Sequence, residues 1–222
     1  MDTISCGKLS MGVVGLDCNN PLVMGVKPNA IIINHDDIDI EKTVISVDGL
    51  ITSLVLKVDE VEDGSGTGNM IEVSRKGFLA QTLNDGISTN IAFAKGAYYN
   101  GWDQNFTLRL FDNTPDVKRF VDQLSKSRVV VIVENNHVKY ADPKNSEEKK
   151  GETVYEVYGF YTGLELNEAT RDSTDADTKG GYVLTCGCDE NSKEPTLPIT
   201  FFNTDLTTTK QDLEKLYEKN PY

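Results

Sequence analysis

The chain has 222 residues, with 35 acids against 22 bases and a formal charge of −13. So acidic a balance excludes a tight reader of duplex DNA or RNA, which needs a basic face to displace counterions from phosphate. It allows a protein that nucleic acid merely passes, because a negative wall repels phosphate and prevents sticking. A chain of this length can bury a full hydrophobic core. The expectation is a single structural domain over 1–222, with an amino-terminal extension over about 1–40 and protruding loops. No apolar run approaches the ~20 residues that a membrane helix requires. Met1-Asp2-Thr3-Ile4-Ser5 has neither a basic region nor an apolar signal core, so the protein is expected to stay in the cytoplasm where it is made.

Leu22-Val23-Met24 and Ala30-Ile31-Ile32-Ile33 read as short strands between turn signals. Residues 44–61 read as two strands broken at Asp48-Gly49, a favoured hairpin dipeptide, with the second running from 50 to 61. Asp63-Gly64-Ser65-Gly66-Thr67-Gly68-Asn69 is rich in glycine, but strand-like Met70-Ile71-Glu72-Val73 follows it. A phosphate loop must open a helix, so this is a hairpin tip. Phe78-Leu79-Ala80-Gln81-Thr82-Leu83 reads as a short helix, and 87–95 continues the mixed region. Gly96-Ala97-Tyr98-Tyr99-Asn100-Gly101-Trp102 gathers aromatics and turn residues, either as a loop anchored by its own rings or as a sugar-stacking platform.

Phe106-Thr107-Leu108-Arg109-Leu110-Phe111 reads as a strand feeding a helix. Thr114-Pro115-Asp116 supplies a hydroxyl cap, a proline at the first helical position and an acid facing the dipole. Val117, Phe120, Val121 and Leu124 recur at helical spacing and define a buried face. Val129-Val130-Val131-Ile132-Val133 is wholly β-branched and belongs in a strand covered on both sides. A long polar excursion over 134–151 follows before an aromatic strand resumes at 154–166. Asn135-Asn136 can close a hairpin within it, and Glu147-Glu148-Lys149-Lys150 makes its tip fully solvated. Residues 167–179 read as an acidic loop, 181–185 and 195–202 as strands, and 207–219 as a short helix. Thr208 or Thr209 caps that helix, and Leu213, Leu216 and Tyr217 form its apolar stripe.

Catalytic chemistry is not legible. His35 and His137 sit in polar segments away from any nucleophile. Cys6, Cys18, Cys186 and Cys188 lack zinc-knuckle spacing and read as small hydrophobes with free thiols. Asp175-x-Asp177-x-Lys179-Gly180 begins like a calcium loop but carries Cys186 where the twelfth-position carboxylate belongs, so a solvated turn is expected, with Asp172, Asp175 and Asp177 facing solvent. No catalytic residue, cofactor or metal ligand is assigned, and the chain is not expected to be an enzyme.

Two segments carry a resemblance. One runs from Ser5-Cys6-Gly7-Lys8-Leu9 through Asp17-Cys18-Asn19-Asn20-Pro21 to Ile31-Ile32-Ile33-Asn34. The other runs from Tyr158-Gly159-Phe160-Tyr161-Thr162-Gly163-Leu164-Glu165-Leu166 through Asp172-Ser173 to Gly181-Tyr182-Val183-Leu184. Together they resemble virion structural proteins of tailed phages of Bacteroides-type bacteria, including the crAss-like group. The resemblance implies a tail-tube or neck-ring subunit located in the virion. Its fold would be mainly β with a minor α+β part: a β-sandwich or barrel, one flanking helix near 115–126, a long hairpin near 134–151 and a short C-terminal helix. It implies homo-oligomeric rings, commonly six- or twelvefold, stacked among portal, neck and tail proteins, with DNA sliding through an acidic lumen and no membrane. In that setting Asn136, His137, Lys144, Glu147 and Lys150 on the excursion and Gly66 on the glycine-rich tip are expected to reach neighbouring copies. Tyr99 and Trp102 are further interaction candidates. The rival expectation is a carbohydrate-binding β-sandwich for adhesion or receptor recognition, with Tyr98, Tyr99 and Trp102 as its platform.

Overall fold

Runs of β-branched residues bury both faces of a strand, and two such runs set this architecture. The computed structural model describes residues 22–62, 70–95, 100–138 and 150–217. Its strands are β1 (Val26–Asn34), β2 (Val44–Ile45), β3 (Ile51–Ser53), β4 (Val58–Glu62), β5 (Met70–Ser74), β6 (Phe78–Gln81), β7 (Ile87–Lys95), β8 (Asn100–Leu110), β9 (Val129–Asn135), β10 (Tyr155–Tyr158), β11 (Glu165–Arg171), β12 (Tyr182–Gly187) and β13 (Ile199–Thr200). Helix α1 (Pro115–Leu124) joins β8 to β9, and α2 (Leu206–Glu214) follows β13.

One sheet has five strands in the order β13-β10-β9-β1-β6, and a second has four in the order β11-β12-β8-β7. Every pairing in both is antiparallel. Neither sheet closes on itself among the described residues, so the expected mainly-β fold is present as stacked open sheets and not as a barrel. Ala30, Ile32, Val129, Val131 and Val133 face Ile87, Phe106, Leu108, Leu184 and Cys186 of the second sheet. Ile31, Ile33, Val130 and Ile132 point the other way, into a core completed by Ile38, Ile51, Leu54, Leu56, Phe201, Leu213 and Leu216. The central strand pair therefore has no polar side, as the run 129–133 predicts. Each such side chain contributes roughly 1.5–3 kcal/mol by leaving water.

Helix α1 forms where its cap signals place it. Thr114 accepts from Val117 N–H at 3.5 Å, Pro115 opens the helix, and Leu124 is buried while Val117, Phe120 and Val121 are half-buried. Phe120 meets Phe78 edge-to-face with centroids 6.0 Å apart. The C-terminal helix starts one residue early and with a different cap. Asp205, not Thr208 or Thr209, accepts from Thr207 N–H at 2.8 Å and Thr208 N–H at 2.9 Å. Thr209 is instead buried, its hydroxyl donating back to Asp205 O at 2.7 Å.

Other expectations change for identifiable reasons. The short helix read at 78–83 is strand β6, because Phe78 to Gln81 pair with Ile32 to Asn29 of β1 and sheet pairing overrides local helix preference. The Asp48-Gly49 hairpin forms between β2 and β3, but the strand read over 50–61 is broken: β3 ends at Ser53, Leu56 makes a lone bridge to Ile38, and β4 begins at Val58. Leu54 and Leu56 are both buried, so the chain bends to keep them under the sheet before β4 leaves the body. Residues 22–24 are not strand. Residues 26–34, placed in an amino-terminal extension, form the interior strand β1. The acidic loop begins only after β11, whose edge-strand residues run to Arg171, and the final apolar piece contributes only Ile199–Thr200 as strand.

Candidate functional site

Antiparallel β4 and β5 form a two-stranded ribbon that pairs with no other strand among the described residues. Its flanking pairs run from Val58↔Ser74 to Glu62↔Met70, so the ladder closes around the glycine-rich segment as a hairpin, and that segment, Gly66 included, lies outside the described residues. Every ribbon residue whose burial is described is exposed. Val61 and Val73 share one face, Val58 and Met70 the other, and these four are 41–55 % exposed. Glu60 stands directly opposite Glu72, a like-charge pair that weakens an isolated ribbon.

The root of the ribbon is clamped. Arg75 grips Asp59 through Nε at 2.9 Å and Nη2 at 2.8 Å, and reaches Asp37 with Nη1 at 2.6 Å. The Arg75 hydrogen bond holds the Asp59 carboxyl below the usual carboxylate range. Asn34, the last residue of β1, donates to the other Asp37 oxygen at 2.9 Å. Backbone bonds from Arg75 N to Lys57 O at 2.9 Å and from Lys57 N to Asp37 O at 2.8 Å complete the joint. The ribbon is thus a positioned arm rooted at the C-terminal end of β1.

At the other end of β1 lies a cleft of about 500 Å³. Leu22 and Met24 stand on its rim, 80 % and 87 % exposed, and Val26, Ile87, Thr89 and Glu156 line it. The foot of the excursion holds this rim. Asn136 donates from its backbone N–H to Gly25 O at 2.9 Å and from its side chain to Met24 O at 3.1 Å, while Val23 N–H donates to His137 Nδ1 at 3.4 Å. Gly25 has φ +88°, and a Cβ there would sit 3.0 Å from the Asn136 amide nitrogen. Asn136 and His137 thus bind their own chain at the foot of the excursion. Nor is Asn135-Asn136 a tight hairpin turn, since Asn135 N–H still donates to Val154 O at 2.6 Å. Lys144 and Glu147 lie outside the described residues. Lys150 is placed elsewhere, in a hollow at the start of α2 beside Phe202 and Leu206.

Trp102 belongs to strand β8, half-buried, and packs T-shaped on Phe93 across the β7–β8 ladder with centroids 5.3 Å apart. Tyr98 and Tyr99 lie outside the described residues, so the three rings are not seen together. Cys186 and Cys188 are free and buried in one core cluster, and burial pushes the Cys186 thiol up to about 12. Asp172 and Asp175 are engaged in turn hydrogen bonds to Thr174 and Thr178 that hold both carboxyls below the usual range. Among the described residues no group of His, Cys, Asp and Glu is arranged to hold a metal ion, and no helix is long and apolar enough to cross a membrane.

The sequence reading missed the best-built polar cluster. Glu194 is 1 % exposed, and its carboxylate accepts from Thr162 N–H at 2.7 Å, Thr162 Oγ1 at 2.9 Å and Tyr161 N–H at 3.1 Å. Gln104, equally buried, accepts from Gly159 N–H at 2.9 Å and donates to Thr196 O at 2.9 Å. His35 Nε2 donates to Tyr161 O at 3.1 Å. Gly159 turns the chain at φ +71°, where a Cβ would strike Leu164. Each partner is remote in sequence, so nothing local signals the cluster. The Glu194 carboxylate and the Gln104 side-chain oxygen are both engaged by the turn at 159–163, which the cluster locks in place. No family model, no curated protein and no solved structure matches this chain.

Proposed function

We propose that this chain is a structural subunit that assembles with copies of itself into a ring or tube, in the phage tail or neck setting that its resemblance implies. The observation that carries the reading is the β4–β5 ribbon: an arm clamped at its root, with exposed apolar side chains on both faces and no strand partner among the described residues. A lone two-stranded ribbon is marginal in water and gains stability when another surface covers it. An unpartnered ribbon edge is also a hazard that assembly removes by pairing or covering it. The charge of −13 supports a channel wall past which phosphate slides without binding. Light scattering and electron microscopy of the purified chain test the reading. A closed particle with a central hole is expected, and a monomer at all accessible concentrations overturns it.

A further inference from the structure

Resting on the self-assembly proposed above, we infer that the contact between copies is head-to-tail, with the β4–β5 ribbon of one copy seated in the cleft beside Leu22–Met24 of the next. The two features lie at opposite ends of one strand. The ribbon root is tied to Asp37 just past the C-terminal end of β1, and the cleft opens at Val26, its first residue. Nine residues of strand separate the ends by roughly 26 Å at ~3.3 Å per residue. Two different patches at opposite ends of a subunit can pair reciprocally when two copies lie antiparallel, but copies that run the same way leave one patch of each kind open. Contacts of that second kind propagate from copy to copy, which is how rings close.

The surfaces also suit each other chemically. The ribbon carries apolar side chains on both faces, Val61 and Val73 on one and Val58 and Met70 on the other, the second face also bearing Glu60, Glu62 and Glu72. The cleft offers matching apolar contacts: Leu22, Met24 and Val26 on the rim segment that Asn136 holds, and Ile87 at the start of β7. Ten strand residues covered on two faces give up on the order of 800 Å², the share of one partner in a standard interface. Charge selects among the faces of so acidic a chain. The ribbon bears Asp59, Glu60, Glu62 and Glu72, and a second acidic surface repels it. Among the described residues lining the cleft there is one carboxylate, Glu156, which already accepts the Tyr158 hydroxyl at 2.9 Å.

The test uses two neutral double variants of the full chain, so that net charge stays fixed. The ribbon variant carries Val61→Asn with Val73→Asn, and the seat variant carries Leu22→Asn with Met24→Asn. All four side chains are exposed in the monomer, and circular dichroism with thermal unfolding verifies that both variants fold. In sedimentation velocity the wild type forms rings, and each variant alone associates on the order of 100-fold more weakly. Mixed one to one, they form a heterodimer that grows no further, because the mixture holds one good ribbon and one good seat per pair. Rings from either variant alone, or a mixture that stays monomeric while the wild type forms rings, overturn the head-to-tail seat and leave self-assembly standing. A monomeric wild type overturns both.

Discussion

Strand β9 and the β4–β5 ribbon both carry apolar side chains on two sides, and they differ in what lies against those sides. Around Val129–Val133 the second sheet covers one face, and the layer of β2, β3 and α2 covers the other. Around Val58, Val61, Met70 and Val73 the described chain supplies nothing. The same residue types thus store stability in one place and leave it unrealised in the other. Uncovered apolar side chains of this kind are what the proposed assembly would cover.

The comparison breaks most visibly at its buried end. Ile132→Ala removes a side chain from the middle of the doubly covered sheet and is expected to cost about 2–5 kcal/mol in urea unfolding. A loss below 1 kcal/mol means that β9 is not packed as described. Glu194→Ala strips the acceptor from two part-buried amides and a hydroxyl, with an expected loss of about 2–3 kcal/mol. Glu194→Gln, which keeps one acceptor oxygen, loses less. Thr114→Ala uncaps α1 at the edge of the sandwich, for about 1 kcal/mol.

A smaller effect shows only in acid. Hydrogen bonds from Thr208 and Thr207 depress the Asp205 carboxyl. Its contribution is complete above the ordinary carboxylate pKa and is lost as pH falls through the depressed folded value. Asp205→Asn keeps a capping oxygen and flattens that limb of the stability–pH curve; an unchanged curve shows the cap to be uncharged in effect. Smallest of all, Val61→Ala in the ribbon changes monomer stability by no more than about 0.5 kcal/mol. A loss as large as that of Ile132→Ala sinks the idea that the ribbon is uncovered.

Legibility in the sequence followed the range of the interactions. The run 129–133 and the Thr114-Pro115-Asp116 start were readable because one residue type or one local spacing decided them. Phe78 to Gln81 misled because its residues tolerate a helix, and only the edge of β1 makes them a strand. The cap of α2 was misplaced by three or four residues because threonines are good caps and Thr209 is buried for tertiary reasons. The ribbon could be outlined from its turn glycines, but its isolation could not, since being unpaired is a property of the whole topology. Glu194 and Gln104 were invisible because their partners lie dozens of residues away. The cleft escaped notice because it rests on Asn136 and Gly25, which are distant in sequence and whose types read simply as turn formers.

Strand β1 is hydrogen-bonded along both edges, to β6 on one side and β9 on the other. A pull between the ribbon root and the cleft runs along its axis. Tension in that direction loads both ladders in shear, so their bonds must yield together and cannot peel one at a time. The line joining the ribbon root to the cleft is therefore held in shear from end to end.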